Sequence, residues 1–453
     1  MTSINLLPNE VIRLILDFLY DEDKVSLLTV SKSFRRLVLD NTEFSNTVDY
    51  FSVKEVSYYD NFTSVSYPVF QNDIKFPKKL KELLVWSDKK ILEIIPNDIC
   101  KRIKKIFIDR VAESIKLDKF TNLKVLLLSI NSLKNLQDDF IIPEGVEVFI
   151  ISSWYKYSEK DMSKIRFILP DSIKRVEFIS IDNVNIEKND YNTVESIKLY
   201  DIESNKCQVM NFIKNCTNLK SVSIYDPNAI LIQDLSNTLT ELNLIYTNTT
   251  NGITLDSLNL ERFESLKTLK ILKHTYCSLR IKNLTLPPHL EALYIHGMID
   301  ELHLPSSLKR LYISGYVEKH LLLPEGIECL ETSWNSVLRI INYELRNLRK
   351  LSIGVCNPFI CKPFFSKNLK EAYFLNQQFK IRPSLKLEKI TTLAISKKKV
   401  KRLRAYEKVI LCLCNDSMKY FENMYNNKIK RKHKVIIKGY SPSDDWDKSL
   451  KLF

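Results

Sequence analysis

Histidine, cysteine and carboxylate side chains could do chemistry in this chain, but their spacing speaks against most of it. His289, His296 and His303 recur every seven residues, and three imidazoles meeting at one point would hold a metal. That step does not match the 18–21-residue steps of the repeat in which they sit, so the three are expected on different faces, at the surface. Cys412 and Cys414 alternate within the apolar run from Val409 to Cys414, with no second Cys or His pair to complete a zinc site. Cys356 and Cys361 are equally isolated. Asp138-Asp139 and Asp444-Asp445 read as solvated turns rather than acid–base partners. No Gly-x-Ser-x-Gly elbow or His-Glu-x-x-His helix occurs. Only 7 glycines are present and the closest pair is Gly315 and Gly326, which excludes the clustered glycines that bring backbone up to a phosphate. The expectation is a non-enzymatic chain with no catalytic residue, no metal and no cofactor.

What these residues sit on is a repeat. An apolar residue, two others, an apolar residue, one other and an apolar residue recur as Leu123-Leu126-Leu128, Val146-Phe149-Ile151, Ile173-Val176-Phe178, Val194-Ile197-Leu199 and Leu219-Val222-Ile224. The phrase continues as Leu239-Leu242-Leu244, Leu266-Leu269-Ile271, Leu290-Leu293-Ile295, Leu308-Leu311-Ile313 and Leu348-Leu351-Ile353. Degenerate copies start at Leu80, Ile103, Ile327, Leu369 and Ile390. The steps fall within or near the roughly 20–29-residue leucine-rich-repeat period. Each copy reads as one short strand with two inward residues at period 2 and a leading apolar residue beneath. A single turn cannot bury that face, so the turns must stack. The expected fold is an α/β solenoid, a leucine-rich-repeat arc of about fifteen turns, occupying residues 46–396.

Proline precedes the phrase in Leu286-Pro287-Pro288-His289-Leu290, Leu304-Pro305-Ser306-Ser307-Leu308 and Leu323-Pro324-Glu325-Gly326-Ile327, and again at Phe76-Pro77, Ile142-Pro143 and Leu169-Pro170. Proline disfavours helix in the residue before it, so the chain enters each strand from an extended segment. The phrase resembles the Leu-Pro-type repeats of fungal, amoebal and giant-virus F-box proteins. The asparagine usual after the strand is mostly absent, and His296-Gly297 and Ser314-Gly315 stand in its place.

Residues 1–45 follow a different period. Leu7, Val11, Leu14, Ile15, Phe18 and Leu19 have helical spacing, with Pro8 suited to a first turn. A break at Asp21-Glu22-Asp23 is followed by Val25, Leu27 and Leu28, then by a third short helix beginning near Ser31 and carrying Val30, Phe34, Leu37 and Val38. Three such helices bury too little surface to stand alone and should lean on the solenoid or a partner. The order Leu7-Pro8, Glu10-Val11, Ile15, Leu19, Leu27-Leu28, Val30-Ser31-Lys32, Phe34-Arg35, Leu37 and Phe44 resembles the F-box, with Tyr20-Asp21-Glu22-Asp23 replacing its usual Asp-Pro turn. The resemblance implies docking onto a Skp-type adaptor and, through it, a cullin of an SCF-type ubiquitin ligase. Its implied anchors are Leu7, Pro8, Val11, Ile15, Leu19, Leu27, Val30 and Phe34. The plainer alternative is an N-terminal cap shielding the first repeat.

In that family the repeats hold a protein substrate. On the concave side the middle position of each strand would meet it, here Phe107, Lys198, Lys270, Tyr294, Tyr312 and Tyr373, with Arg310 and His296 beside them. Tyrosine gives large contact area at low entropic cost, and a phosphorylated substrate would suit Lys198, Lys270 or Arg310. The alternative is a solvated sheet in which aromatics are simply good strand formers. Of the net charge of +14, residues 397–453 supply +10, from 16 Lys/Arg against 6 Asp/Glu. Lys397 to Arg402 and Lys428 to Lys434 read as solvated faces of a C-terminal cap or tail, with nuclear import or phosphate contact to nucleic acid as the alternative. No apolar run approaches the roughly 18 residues of a membrane span, and the irregular cysteines suit a reducing compartment, cytoplasm or nucleus. Two functions remain: a substrate-recognition adaptor of the ligase, or a non-degradative scaffold of the same build, chromatin- or kinetochore-associated through the basic tail.

Overall fold

The computed structural model describes residues 7–68, 73–86, 90–111, 115–130, 139–153, 161–181, 183–200, 208–227, 232–233, 235–247, 253–273, 278–332, 345–353, 368–374, 389–393, 408–414 and 434–440. The chain forms two compact units, Met1–Val222 with Ile230–Leu235, and Ser223–Ala229 with Ser236–Phe453. No helix among the described residues is long and apolar enough to cross a membrane.

The first unit opens with three helices, α1 (Asn9–Asp17), α2 (Asp21–Leu28) and α3 (Lys32–Asn41). Pro8 caps α1; it lacks an N–H, and its carbonyl accepts the Val11 and Ile12 N–H groups at 3.0 and 3.1 Å. Asp21, Glu22 and Asp23 are the first turn of α2 rather than a break, at the helix end that favours negative charge. The break instead falls at Phe18 to Tyr20. Ile12, Leu16, Leu28 and Val38 are buried and form the small core of these helices.

That core is tied to the segments flanking the first strands by buried and half-buried polar contacts. Lys24 Nζ lies 3.0 Å from Asp21 Oδ1 and donates to the Glu43 carbonyl at 3.0 Å. The other Asp21 oxygen accepts the Asn46 N–H at 2.7 Å. Asn61 Nδ2 donates to the Leu39 and Thr42 carbonyls at 2.6 and 3.0 Å, tying the end of α3 to the strand region. Phe44 is buried and forms a parallel bridge with Phe62. The helical segment therefore leans on the repeats.

Parallel strands follow: Val48–Asp49, Ser64–Tyr67, Glu82–Trp86, Lys105–Val111, Val125–Ile130, Val148–Ser153, Arg175–Ile179 and Ser196–Tyr200, each paired with the next. Parallel pairing requires a crossover, and each crossover is one turn of a solenoid. Leu83, Ile106, Leu126, Phe149, Val176 and Ile197 align in register and are buried, as is the leading residue of each copy. Fully burying one such side chain contributes roughly 1.5–3 kcal/mol, which only the stack provides.

The second unit repeats the device. Its strands Glu241–Tyr246, Thr268–Lys273, Ala292–Leu302, Arg310–Val317, Cys329–Thr332, Lys350–Ile353, Glu371–Phe374 and Lys389–Leu393 pair in parallel in that order. Two more, Lys408–Cys414 and Lys434–Tyr440, carry the ladder into the stretch expected as a basic cap or tail. Lys397 to Arg402 and Lys428 to His433 lie outside the described residues, as do the side chains of Cys412 and Cys414.

The proline phrase makes a turn. The carbonyls of Pro77, Pro143, Pro170, Pro287, Pro305 and Pro324 each accept the N–H of the leading apolar residue three positions on, at 3.2–3.4 Å. Where proline is missing, asparagine before the leading leucine stitches turns together: Asn122, Asn218, Asn347 and Asn368 donate to carbonyls of the preceding turn at 2.6–3.3 Å. Among the described residues the second side of the turns carries strands more often than helices. Phe140–Ile141, Asp161–Leu169 and Asn183–Lys188 form a second small sheet in the first unit, and short helices appear at Lys90–Ile94, Asn97–Cys100 and Gln208–Asn215. In the second unit Leu279–Thr285 pairs with the far half of the long strand Ala292–Leu302. That strand turns its corner at Gly297, which lies in register with Gly315 on the next strand. Gly315 has φ +148°, and a Cβ there would fall 1.9 Å from the Gly297 carbonyl oxygen. Only glycine fits that corner.

Candidate functional site

Two surfaces bring the expected residues together. The first is on α1 and α2. Because Ile12 and Leu16 point inward, the other apolar positions on and beside α1 are left in solvent: Leu7 and Val11 are each 38 % exposed, Ile15 39 % and Phe18 87 %. Leu14, Tyr20, Val25 and Val30 are also exposed, and Pro8 with them. Leu19 and Leu27 are half-buried. Phe34 lies in α3, but its side chain is outside the described residues. So many exposed large apolar side chains on so small a segment mark a surface for protein contact. Sequence spacing pointed to this stripe but left Leu14, Phe18, Tyr20 and Val25 out of the anchor set. Which apolar residues of a helix stay outside depends on its packing partners, here α3.

The second is the open face of the ladder within each unit, where strand burial alternates as period 2 requires. In the first unit the middle positions in register are Leu84, Phe107, Leu127, Ile150, Glu177 and Lys198. Phe107 is half-buried, its ring 6.4 Å edge-on from Trp86, whose indole N–H donates to Ser66 Oγ at 2.7 Å. Lys198 Nζ is 3.6 Å from the buried Glu177 carboxylate, which Arg175 also pairs.

In the second unit the row reads Asn243, Lys270, Tyr294, Tyr312, Glu331, Ser352 and Tyr373. Lys270 pairs with Glu241 at 2.9 Å and lies 5.8 Å from the centre of the Tyr294 ring. Burial alone would raise the Glu241 pKa, but Lys270 and Asn243 outweigh it and hold the carboxyl below its ordinary range. The Tyr294 and Tyr312 rings are 6.1 Å apart. Tyr312 is only 8 % exposed, so it is a wall of the surface rather than an open contact residue. Arg310 is exposed and His296 half-buried, while the Tyr373 side chain is outside the described residues. His289 and His303 are exposed, in the turn and at the strand end on either side of His296, and His303 Nε2 is 3.2 Å from Glu301. In the first unit Leu84, Leu127 and Ile150 occupy the row of Phe107 and Lys198, and in the second Glu331 occupies the row of Lys270, Tyr294 and Tyr312. The repeat alignment already marked these positions, but selecting aromatic and cationic residues passed over them.

These features define a class: a solenoid of stacked parallel strands with a small helical segment at its N-terminal side. The family model for the F-box domain matches residues 4–46, and that segment is an F-box domain. No curated protein matches the chain.

Proposed function

We propose that this protein is a substrate-recognition adaptor of an SCF-type cullin–RING ubiquitin ligase. Its F-box docks onto a Skp-type adaptor through Leu7, Pro8, Val11, Ile15, Leu19, Leu27, Val30 and Phe34, and a cullin is recruited through that adaptor. The single observation carrying this reading is the exposed apolar stripe of α1 and α2 on a segment that matches the F-box. The solenoid is the substrate-holding part, and we read it as leucine-rich repeats of about fifteen turns from its apolar phase. The division into 1–45, 46–396 and 397–453 belongs to the same reading, as does action in the cytoplasm or nucleus. The chain performs no chemistry itself; it sets the geometry for ubiquitin transfer by its partners. Co-purification tests this: recovery of both adaptor and cullin supports the ligase. Recovery of adaptor without cullin indicates the non-degradative scaffold instead.

A further inference from the structure

We infer that a cleft on the open face of the second unit receives a lysine or arginine side chain from a protein partner, with the Glu331 carboxylate as its counter-charge. This rests on the reading that the repeats hold a protein substrate. The cleft has a volume of about 270 Å³ and is lined by Tyr294, Arg310, Tyr312, Glu331, Lys350 and Ser352. Register explains the grouping. Tyr312, Glu331 and Ser352 sit opposite one another on successive strands, and Arg310, Cys329 and Lys350 form the next row. A space of this size falls below the roughly 300–1,000 Å³ that encloses a drug-sized molecule. It suits one long side chain presented on a peptide.

Glu331 is the unusual member. Elsewhere on or beside the ladder strands of the two units glutamates are paired: Glu177 with Arg175 and Lys198, Glu241 with Lys270, Glu291 with Lys267 and Lys309. The half-buried Glu331 carboxyl makes no hydrogen bond and no ion pair among the described residues. Burial pushes its pKa up to about 7, against the pull of the nearby Lys350 ammonium. Lys350 in turn lies 4.0 Å from Glu371, and Arg310 is exposed, so water solvates it. Among the described residues the group left without a partner is therefore an acceptor, and leaving such a group unpaired is costly. A cationic side chain supplies the donors. The two tyrosine faces would line its aliphatic stem and attract its charged head, as the Tyr294 ring already attracts Lys270.

The test uses the full chain and a blocked tripeptide with a central arginine, with glutamate and phosphoserine versions beside it. Binding is followed by calorimetry at pH 6, 7 and 8. A carboxyl titrating near 7 is about 9 % ionised at pH 6 and about 91 % at pH 8, so arginine-peptide affinity should rise about tenfold across that range. Binding at pH 7 should release protons. Glu331→Gln should weaken binding at pH 8 and flatten the pH dependence, whereas Arg310→Gln should leave it intact. Absent binding, pH-independent binding or indifference to Glu331→Gln overturns the assignment. Preference for the phosphoserine peptide, tightening as pH falls and lost in Arg310→Gln, would make the cleft an anion site instead. Adaptor binding measured on the same preparations separates the two levels. If it holds while the peptide fails, only the cleft assignment falls; if it is absent, the ligase reading falls.

Discussion

Replacing Gly315 with alanine should destabilise the second unit far more than the same change at Gly145 or Gly326. Two contributions set the size. At φ +148° a side chain is strained, by roughly 1–3 kcal/mol. The new Cβ would lie 1.9 Å from the Gly297 oxygen and 2.8 Å from its carbonyl carbon. Both atoms are backbone, so the strands Ala292–Leu302 and Arg310–Val317 must separate at the corner. Overpacking of this kind adds roughly 1–3 kcal/mol, giving about 4 kcal/mol in total. Gly145 has φ +90° but its nearest atom is 3.9 Å away, so only strain applies, about 1–2 kcal/mol. Gly326 has no left-handed φ and its nearest neighbour is at 3.5 Å, so alanine there should be near neutral or slightly stabilising. Urea unfolding of the three variants, followed by far-ultraviolet circular dichroism, provides the comparison. If Gly315→Ala falls within about 1 kcal/mol of Gly326→Ala, the corner does not depend on glycine and the reasoning fails.

Lys24→Met should loosen the F-box from the first repeats. The pair it breaks is buried, with side-chain exposures of 7 % and 10 %, and leaving Asp21 uncompensated costs about 3 kcal/mol. Faster proteolysis between α3 and residue 64 is expected, and an unchanged digestion pattern would contradict it. Stability should also carry a pH signature from Glu331. Its folded pKa of about 7 lies above the ordinary 4.5, so the fold binds more protons than the unfolded chain between those values. The contribution is full below about 4.5 and is lost as pH rises through 7, costing at most about 3 kcal/mol at pH 8 and less where water enters the cleft. Glu331→Gln should therefore gain stability at pH 8 and none at pH 4.5; an equal difference at both pH values would refute this.

The strands were legible because burial on a stacked ladder imposes a strict phase: Leu290-Leu293-Ile295 and the copies from Leu123 to Leu308 are buried where that phase puts them. The proline turns were legible too, since a fixed φ and a missing N–H act within a few residues. Contacts made across turns were not legible. Gly297 and Gly315 looked like a missing asparagine, and their role appears only when two strands are set side by side at a corner. The asparagines before the leading leucines bond to the previous turn, about 20 residues away in sequence. Lys198 and Lys270 looked like vacant cations, yet a glutamate from a neighbouring strand meets each. Glu331 is the reverse case, a carboxyl with no hydrogen-bond or ion-pair partner among the described residues of its row. On α1, period alone could not separate the inward Ile12 and Leu16 from the outward Val11 and Ile15.

Binding of the purified chain to a Skp-type adaptor, compared between wild type and Val11→Asp with Val30→Asp, tests the docking surface most directly. Both side chains are in solvent, Val30 at 65 % exposure, so the melting temperature should hold. Burying two carboxylates against an apolar partner should cost more than about 3 kcal/mol, lowering affinity over 100-fold. An adaptor bound equally well by the double variant, or not bound by the wild type, would contradict the F-box docking surface.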